Sequence, residues 1–355
     1  MSRPGFRILY PGPELKKLAE QCAPNDIHCQ PDYLKLFAGY QPAEVIYAFY
    51  GDENDYVLAP FFKKISPNSG SGEKYFDLAS PWYYGGPIYH YASRAIALEN
   101  FKHLRNGLNK YCLENNIVSE FQRMNPMLEN HLFYQGDSGL SYNRDIVYVD
   151  LGKPLPQIRD EYAYKVRKNI RKAENAGLKF ICSKNEADWK KFIEVYLLSM
   201  EDKKAGAFYF FNDIFFAKFF DNFRAELEIF RVEYQGETIA ATLVLGKYGV
   251  LHDYLRGAVP QYVPLRPNDF MVDGIIAWAK KADYSQYSLC GGFSADPKDP
   301  LLNFKKSFSP LTKKFYLYKK VHNLEKYRQL CLSAGKKEEE LAYEQASFFP
   351  EYARR

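Results

Sequence analysis

The chain has 355 residues, too many for one ordinary core and suited to two. With 46% hydrophobic and 26% charged residues it is not a disordered chain, and no apolar run is long enough to cross a bilayer. A net charge of +5 is too small a bias to imply nucleic-acid binding by itself.

The start, Met1-Ser2-Arg3-Pro4-Gly5, leads into no apolar stretch of signal-peptide type, so a cytoplasmic location is expected. Cys22, Cys29, Cys112, Cys182, Cys290 and Cys331 are scattered, with no CxxC pair. They read as reduced packing thiols, and no metal site is expected even where Cys22 and Cys29 flank His28. The 30 Tyr and 27 Phe suit a sheet-rich core, with a few left to line a groove.

In chain order, 44–50 and 56–63 predict a hairpin about Gly51-Asp52, and 66–72 a flexible loop. A strand at 75–79 runs into Tyr83-Tyr84-Gly85-Gly86-Pro87, read either as a tight aromatic turn or as a ligand-lining loop. A long helix at 93–114 and a strand at 117–123 follow. Leu151 to Pro156 is a breaker-rich connector. The next helix, 158–176, closes at Gly177 and carries Lys165, Arg167, Lys168, Arg171 and Lys172. Those cations are either a solvated face or a seat for a phosphate-bearing ligand.

The second half repeats the order. Leu227–Tyr234 and Thr238–Leu245 predict a hairpin about Gln235-Gly236-Glu237, and Val250–Arg256 a third strand, with His252 and Asp253 on opposite faces. A Pro-punctuated loop, 257–267, leads to a helix that Asn268 would cap. A strand at 286–290 ends in Gly291-Gly292, which permits close approach by a substrate. A helical segment at 300–308 contains Phe304, Lys305 and Lys306, and a last strand lies at 314–318. Residues 323–345 read as a charged, solvated helix.

Hairpin, strand, helix, strand thus occurs twice. We expect an α/β (α+β) protein with two related lobes, 1–152 and 153–322, followed by a helical strap at 323–355. The site is placed in the second lobe.

The ordered set Tyr83–Pro87, Lys165–Ala173 with Gly177, Leu255-Arg256-Gly257, Arg266-Pro267-Asn268, Gly291-Gly292 and Phe304–Phe308 resembles the FemABX-like branch of the GNAT superfamily, from about residue 75 to 323. The resemblance implies tandem GNAT-like domains, each a mixed, mostly antiparallel twisted sheet packed by helices. It implies transfer of an aminoacyl or acyl group to an amine, with no tightly bound cofactor and an aminoacyl-tRNA or acyl-CoA as co-substrate. The implied acceptor is a cell-envelope precursor, phosphate-bearing, such as a nucleotide-linked or lipid-linked sugar. The acceptor end of a charged tRNA is a further partner. Lys305 would stabilise the oxyanion, Phe304 would shape the acyl pocket, and Asp253 would orient the amine. Tyr83, Tyr84, Gly85, Gly86, Lys165, Arg167, Lys168, Arg171, Tyr254, Arg256, Asn268, Gly291, Gly292 and Lys306 would contact substrate. In acyl-CoA members the loop before the second-lobe helix is Gly-rich and grips pyrophosphate. Here it has one Gly, and its prolines remove donors. The long helical arm of some bridge-building members has no counterpart. Two other readings are a sugar-nucleotide or precursor binder without catalysis, and an RNA binder using residues 165–172.

Overall fold

The structure is a computed structural model describing residues 4–23, 26–67, 73–247, 249–337 and 348–354. The chain divides into two compact units. One comprises Met1–Pro24, His28–Asn143 and Lys314–Arg355, and the other Asn25–Ile27 and Arg144–Lys313. The sequence reading set the join at 152/153 and gave strand 314–318 to the second lobe. The contacts instead divide the chain at Asn143/Arg144 and return the final strand to the first unit.

The first unit runs β1 (Gly5–Leu9), α1 (Pro13–Cys22), α2 (Pro31–Tyr40), β2 (Glu44–Gly51), β3 (Tyr56–Ile65), β4 (Phe76–Ala79), β5 (Ile88–His90), α3 (Arg94–Glu114), β6 (Ile117–Arg123) and a 3-10 turn at Asn130–Tyr134. β7 (Leu140–Asp150) crosses from one unit to the next. The second unit continues with α4 (Leu155–Asp160), α5 (Tyr164–Asn175), β8 (Lys179–Cys182), α6 (Glu186–Asp202), α7 (Asp213–Phe223), β9 (Leu227–Tyr234), β10 (Glu237–Lys247), β11 (Val250–Ala258), α8 (Pro267–Lys281), β12 (Gln286–Cys290) and α9 (Pro300–Lys306). β13 (Thr312–Val321) and α10 (Leu324–Ser333) follow.

Within the first unit the strand order is β1-β2-β3-β4-β6-β13, and within the second β7-β12-β11-β10-β9-β8. Every pair in these two paths is antiparallel except β4/β6 and β11/β12. Parallel neighbours need a crossover. α3 supplies it in the first unit and α8 in the second, so the repeat expected from element order is present. Each crossover helix buries one stripe. On α3 it is Ala97, Phe101, Leu104 and Leu108, packed among Ile46, Ala48, Val57 and Phe61. On α8 it is Met271, Val272, Ile275, Ile276 and Ala279, among Phe230, Val244 and Leu251. Each of the larger of these side chains contributes roughly 1.5–3 kcal/mol on burial.

Three local expectations are corrected. The helix expected at 158–176 is two helices, because Ala163 leaves helical geometry to donate its N–H to the Ser307 carbonyl at 2.8 Å. α8 begins at Pro267 with Arg266 at its N-cap in left-handed geometry, so Asn268 lies inside the helix rather than capping it. Proline's fixed φ suits a first helical position better than the polar side chain behind it suits a cap. α10 is not a solvated strap: Tyr327, Leu330 and Cys331 are buried with Tyr75, Val118, Phe349 and Tyr352. The tip of the 66–72 loop and the helix expected to 345 extend outside the described residues. All six cysteines are free thiols.

Candidate active site

The second-unit site lies where two paired strands part. β11 and β12 pair in parallel only from Val250/Gln286 to His252/Ser288, although β11 runs on to Ala258 and β12 to Cys290. Just past the last pair, the Cys290 thiol meets the Asp253 carbonyl at 3.5 Å.

β11 also changes phase there. Against β10 the register runs Leu243–Leu255 and then Val244–Asp253, leaving Tyr254 as an extra, bulged residue. In a regular strand, side chains three apart face opposite sides. The bulge brings Asp253 and Arg256 to one side, where Arg256 Nη2 lies 2.9 Å from Asp253 Oδ2. The other Asp253 oxygen accepts from the Thr242 hydroxyl at 3.2 Å, and Arg256 Nη2 also reaches the Tyr287 hydroxyl at 3.4 Å. Burial acts most strongly, to strip the Arg256 proton, but the Asp253 charge, Tyr287 and the hydrogen bonds to both together outweigh it and hold the guanidinium above its usual range. Burial pushes the Tyr287 phenol well up, so it stays protonated. Arg256 Nε is buried with no partner among the described residues.

α9 brings the lysine. Asp299 caps the helix: one oxygen accepts from Leu302 N at 2.9 Å, and the other from Ser294 N at 2.8 Å. Burial pushes the Asp299 carboxyl up, but these donors outweigh it and hold it below the usual range. From the next turn Lys305 Nζ donates to the Gly291 carbonyl at 2.6 Å. An ammonium has three donors, and the described residues take one of Lys305's. Burial lowers its pKa from the ordinary 10.5, and the Arg256 charge adds to this, while Cys290 and Asp253 oppose it. Gly292 is held in turn: its carbonyl accepts from Arg144 Nη1 at 2.7 Å. A Cβ at Gly292 would sit 2.4 Å from Asp299 Oδ1, so only glycine lets this turn close over the cap.

Lys305, Gly291, Asp253 and Arg256 therefore form one cluster. Phe304 packs edge-on against Phe308, with ring centroids 5.3 Å apart. Lys306 turns outward to Asp145 at 3.5 Å. Tyr254 is buried against Phe219, with ring centroids 5.5 Å apart. Asn268 keeps a buried side-chain oxygen without a partner.

On α5, Lys165, Lys168 and Arg171 are exposed. Arg167 instead donates to the carbonyls of Asp160 and Tyr162 at 3.0 and 2.9 Å, closing the end of α4. In the first unit, Tyr83 stacks on His28 at 4.9 Å and Tyr84 is buried. A Cβ on Gly85 would strike Ser80 and Pro81, and one on Gly86 would strike Asn130 and Met124. The protein's own atoms fill the space these glycines keep open.

Sequence reasoning did not reach Arg144, Thr242 or Tyr287. Asp299 had a signal, an Asp directly before Pro at a helix start. The other three act across strands and carry no local signature.

Residues 161–305 match the family model described as the acetyltransferase (GNAT) domain. Over that span the chain is similar to GNAT acetyltransferases. The matched span begins just before α5 and ends on Lys305. Among solved structures, FemX is similar over 91% of this chain and 99% of its own, at 10% identity and a TM-score of 0.65. A conserved protein of unknown function from Bacteroides thetaiotaomicron VPI-5482 is similar over 86% of this chain and 92% of its own, at 10% identity and a TM-score of 0.51. At such identities the likeness is one of fold. No curated protein matches the chain in sequence. Among the described residues, no helix is long and apolar enough to cross a membrane.

Proposed function

We propose that this protein is a GNAT-type transferase that moves an aminoacyl or acyl group from an activated ester or thioester to an amine of a cell-envelope precursor. The observation that carries the reading is the Lys305–Gly291 contact at the parting of β11 and β12. It is a largely buried ammonium with donors to spare, beside strand ends that no longer pair. As the amine attacks, the carbonyl oxygen gains negative charge, and a positioned ammonium in a site of low dielectric stabilises it. Breaking the donor's C–O or C–S bond then restores the carbonyl. Asp253 is already engaged by Arg256 and Thr242, which makes it an orienting group rather than a proton acceptor. The acceptor's own phosphate is the candidate for taking the amine proton.

Aminoacyl-tRNA is the donor we favour. Lys165, Lys168, Arg171 and Lys172 stand exposed on α5, with no ion pair among the described residues. The start of α8 is poorly suited to pyrophosphate, because Pro267 lacks an N–H and the Asp269 carboxylate occupies the first turn, accepting from Asn169 at 2.9 Å. Acyl-CoA is the second reading, favoured by the acetyltransferase match over residues 161–305.

The test supplies acetyl-CoA or charged tRNA, with phosphate-bearing amine acceptors, to wild-type and Lys305→Ala protein and reads transfer by mass spectrometry. Transfer that needs Lys305 supports the reading. Equal turnover by Lys305→Ala sinks the role of Lys305. Binding of acceptor without transfer from any donor leaves a non-catalytic binding protein instead.

A further inference from the structure

A cavity of about 620 Å³ lies in the first unit, beside α3 and the 3-10 turn. Phe101, Leu132 and Phe133 give it apolar walls, and Arg105, Asn106 and Asp137 give it polar ones. None of these residues belongs to the acyl-transfer site.

Arg105 is the unusual member. Its side chain is only 12% exposed. Nη1 donates to both oxygens of Glu120 at 2.7 and 2.9 Å, and Nη2 to the Tyr318 hydroxyl at 3.2 Å. The rings of Tyr134 and Tyr318 each lie 5.3 Å from the guanidinium carbon. The group is thus fixed in place before any ligand arrives. These bonds use at most three of the five N–H groups a guanidinium has, leaving at least two among the described residues. Glu120 does not serve Arg105 alone. Its carboxylate also receives Gln122 Nε2, and His322 Nε2 lies 3.0 Å away. A carboxylate shared among several donors leaves the guanidinium attractive to a second anion.

At the same cavity Asp137 accepts from Gly139 N at 2.9 Å and from the Tyr318 hydroxyl at 3.2 Å. It repels a doubly charged anion but tolerates an amine beside a single carboxylate.

We propose that this cavity is a binding site for a small monocarboxylate with an apolar body, its carboxylate on the unspent edge of Arg105 and its body against Phe101 and Phe133. Fixed, partly buried arginine recognises a carboxylate by paired N–H···O bonds, and aromatic walls take up the body.

The experiment is ligand-observed NMR titration of the full chain with 3-phenylpropionate, phenylalanine and phenethylamine. The two acids should bind with Kd of about 1 mM or tighter, and the amine at least ~tenfold more weakly. Arg105→Lys keeps the cation but loses the fork, and should weaken the acids by about tenfold or more. Because Arg105→Lys perturbs a buried pair, Asn106→Trp is the second variant. Asn106 is exposed on α3, and an indole there fills the cavity without touching Glu120. Loss of acid binding in Asn106→Trp, with an unchanged melting temperature, supports the site. No binding of either acid, equal binding of the amine, or undiminished binding by Asn106→Trp overturns it. None of these readouts depends on acyl transfer.

Discussion

Each unit contains a Gly-Gly pair beside a strand, shortly before β5 in the first and directly after β12 in the second, and in each the first carbonyl is held by a side chain arriving from later in the chain. In the first unit the Gly85 carbonyl accepts from the Asn130 amide at 2.8 Å. In the second, the Gly291 carbonyl accepts from the Lys305 ammonium at 2.6 Å. The amide is a neutral clasp in a place already full: Asn130 is buried, and its own oxygen accepts from Asn125 N at 2.8 Å. The ammonium is a charge with donors left over, set beside strands that have stopped pairing. The same sequence signal therefore marks a packing turn in one unit and a candidate site in the other. What separates them is whether the partner's hydrogen-bonding capacity is used up.

The largest test of that contrast is Lys305→Ala. Turnover should fall ~10²–10³-fold, the scale of losing one oxyanion donor, while the melting temperature changes little. Next is Gly86→Ala. Gly86 has φ +90, and a Cβ there would lie 2.7 Å from Asn130 Nδ2, so strain and overlap add. A loss of about 1–3 kcal/mol in denaturant unfolding is expected. Asn130→Ala should lower stability by a similar ~1–3 kcal/mol through the unpaired Gly85 carbonyl and leave kcat unchanged. A fall in kcat with stability intact would show the first-unit turn to be more than a clasp. Asp299→Ala, which removes the cap of α9, should cost about 1 kcal/mol and raise KM as the loop loosens.

The smallest effect is one of pH. The Lys305 pKa is lowered in the folded chain, so in the window between that value and 10.5 the unfolded chain binds the extra proton. This group's penalty on stability is present below the folded pKa and is relieved as pH rises through the window. Lys305→Met should accordingly be more stable than wild type near neutrality, by a margin that shrinks toward pH 10.5. The oxyanion role needs the charged form, so kcat should fall on the alkaline side below 10.5. An alkaline limb at or above 10.5 would mean that Lys305 is solvated.

The hairpin strands around Gln235-Gly236 and the strand Ile117–Arg123 were legible because turn chemistry and apolar runs are local. The bulge at Tyr254 was not, since a register slip exists only relative to β10. The pairing of Asp253 with Arg256 was hidden for the same reason, because strand alternation alone sets residues three apart on opposite faces. The basic run on α5 was legible as charge. That Arg167 would turn back to close α4 depended on a chain break at Ala163, and that break answers to a carbonyl at Ser307, distant in sequence. Lys305 was found through resemblance, and its contact with Gly291 awaited the fold.

The bulge at Tyr254 has one more consequence. The site depends on that residue's backbone staying bulged more than on its ring, which faces Phe219. Replacing Tyr254 with another large apolar residue should leave Asp253 and Arg256 together. Straightening the strand at its full length would set Asp253 and Arg256, three apart, on opposite faces, whereas deleting Tyr254 would leave them two apart and on one face. For anyone comparing such chains, a single-residue gap at the position of Tyr254 is compatible with an intact cluster, because it removes the bulge and the extra residue together.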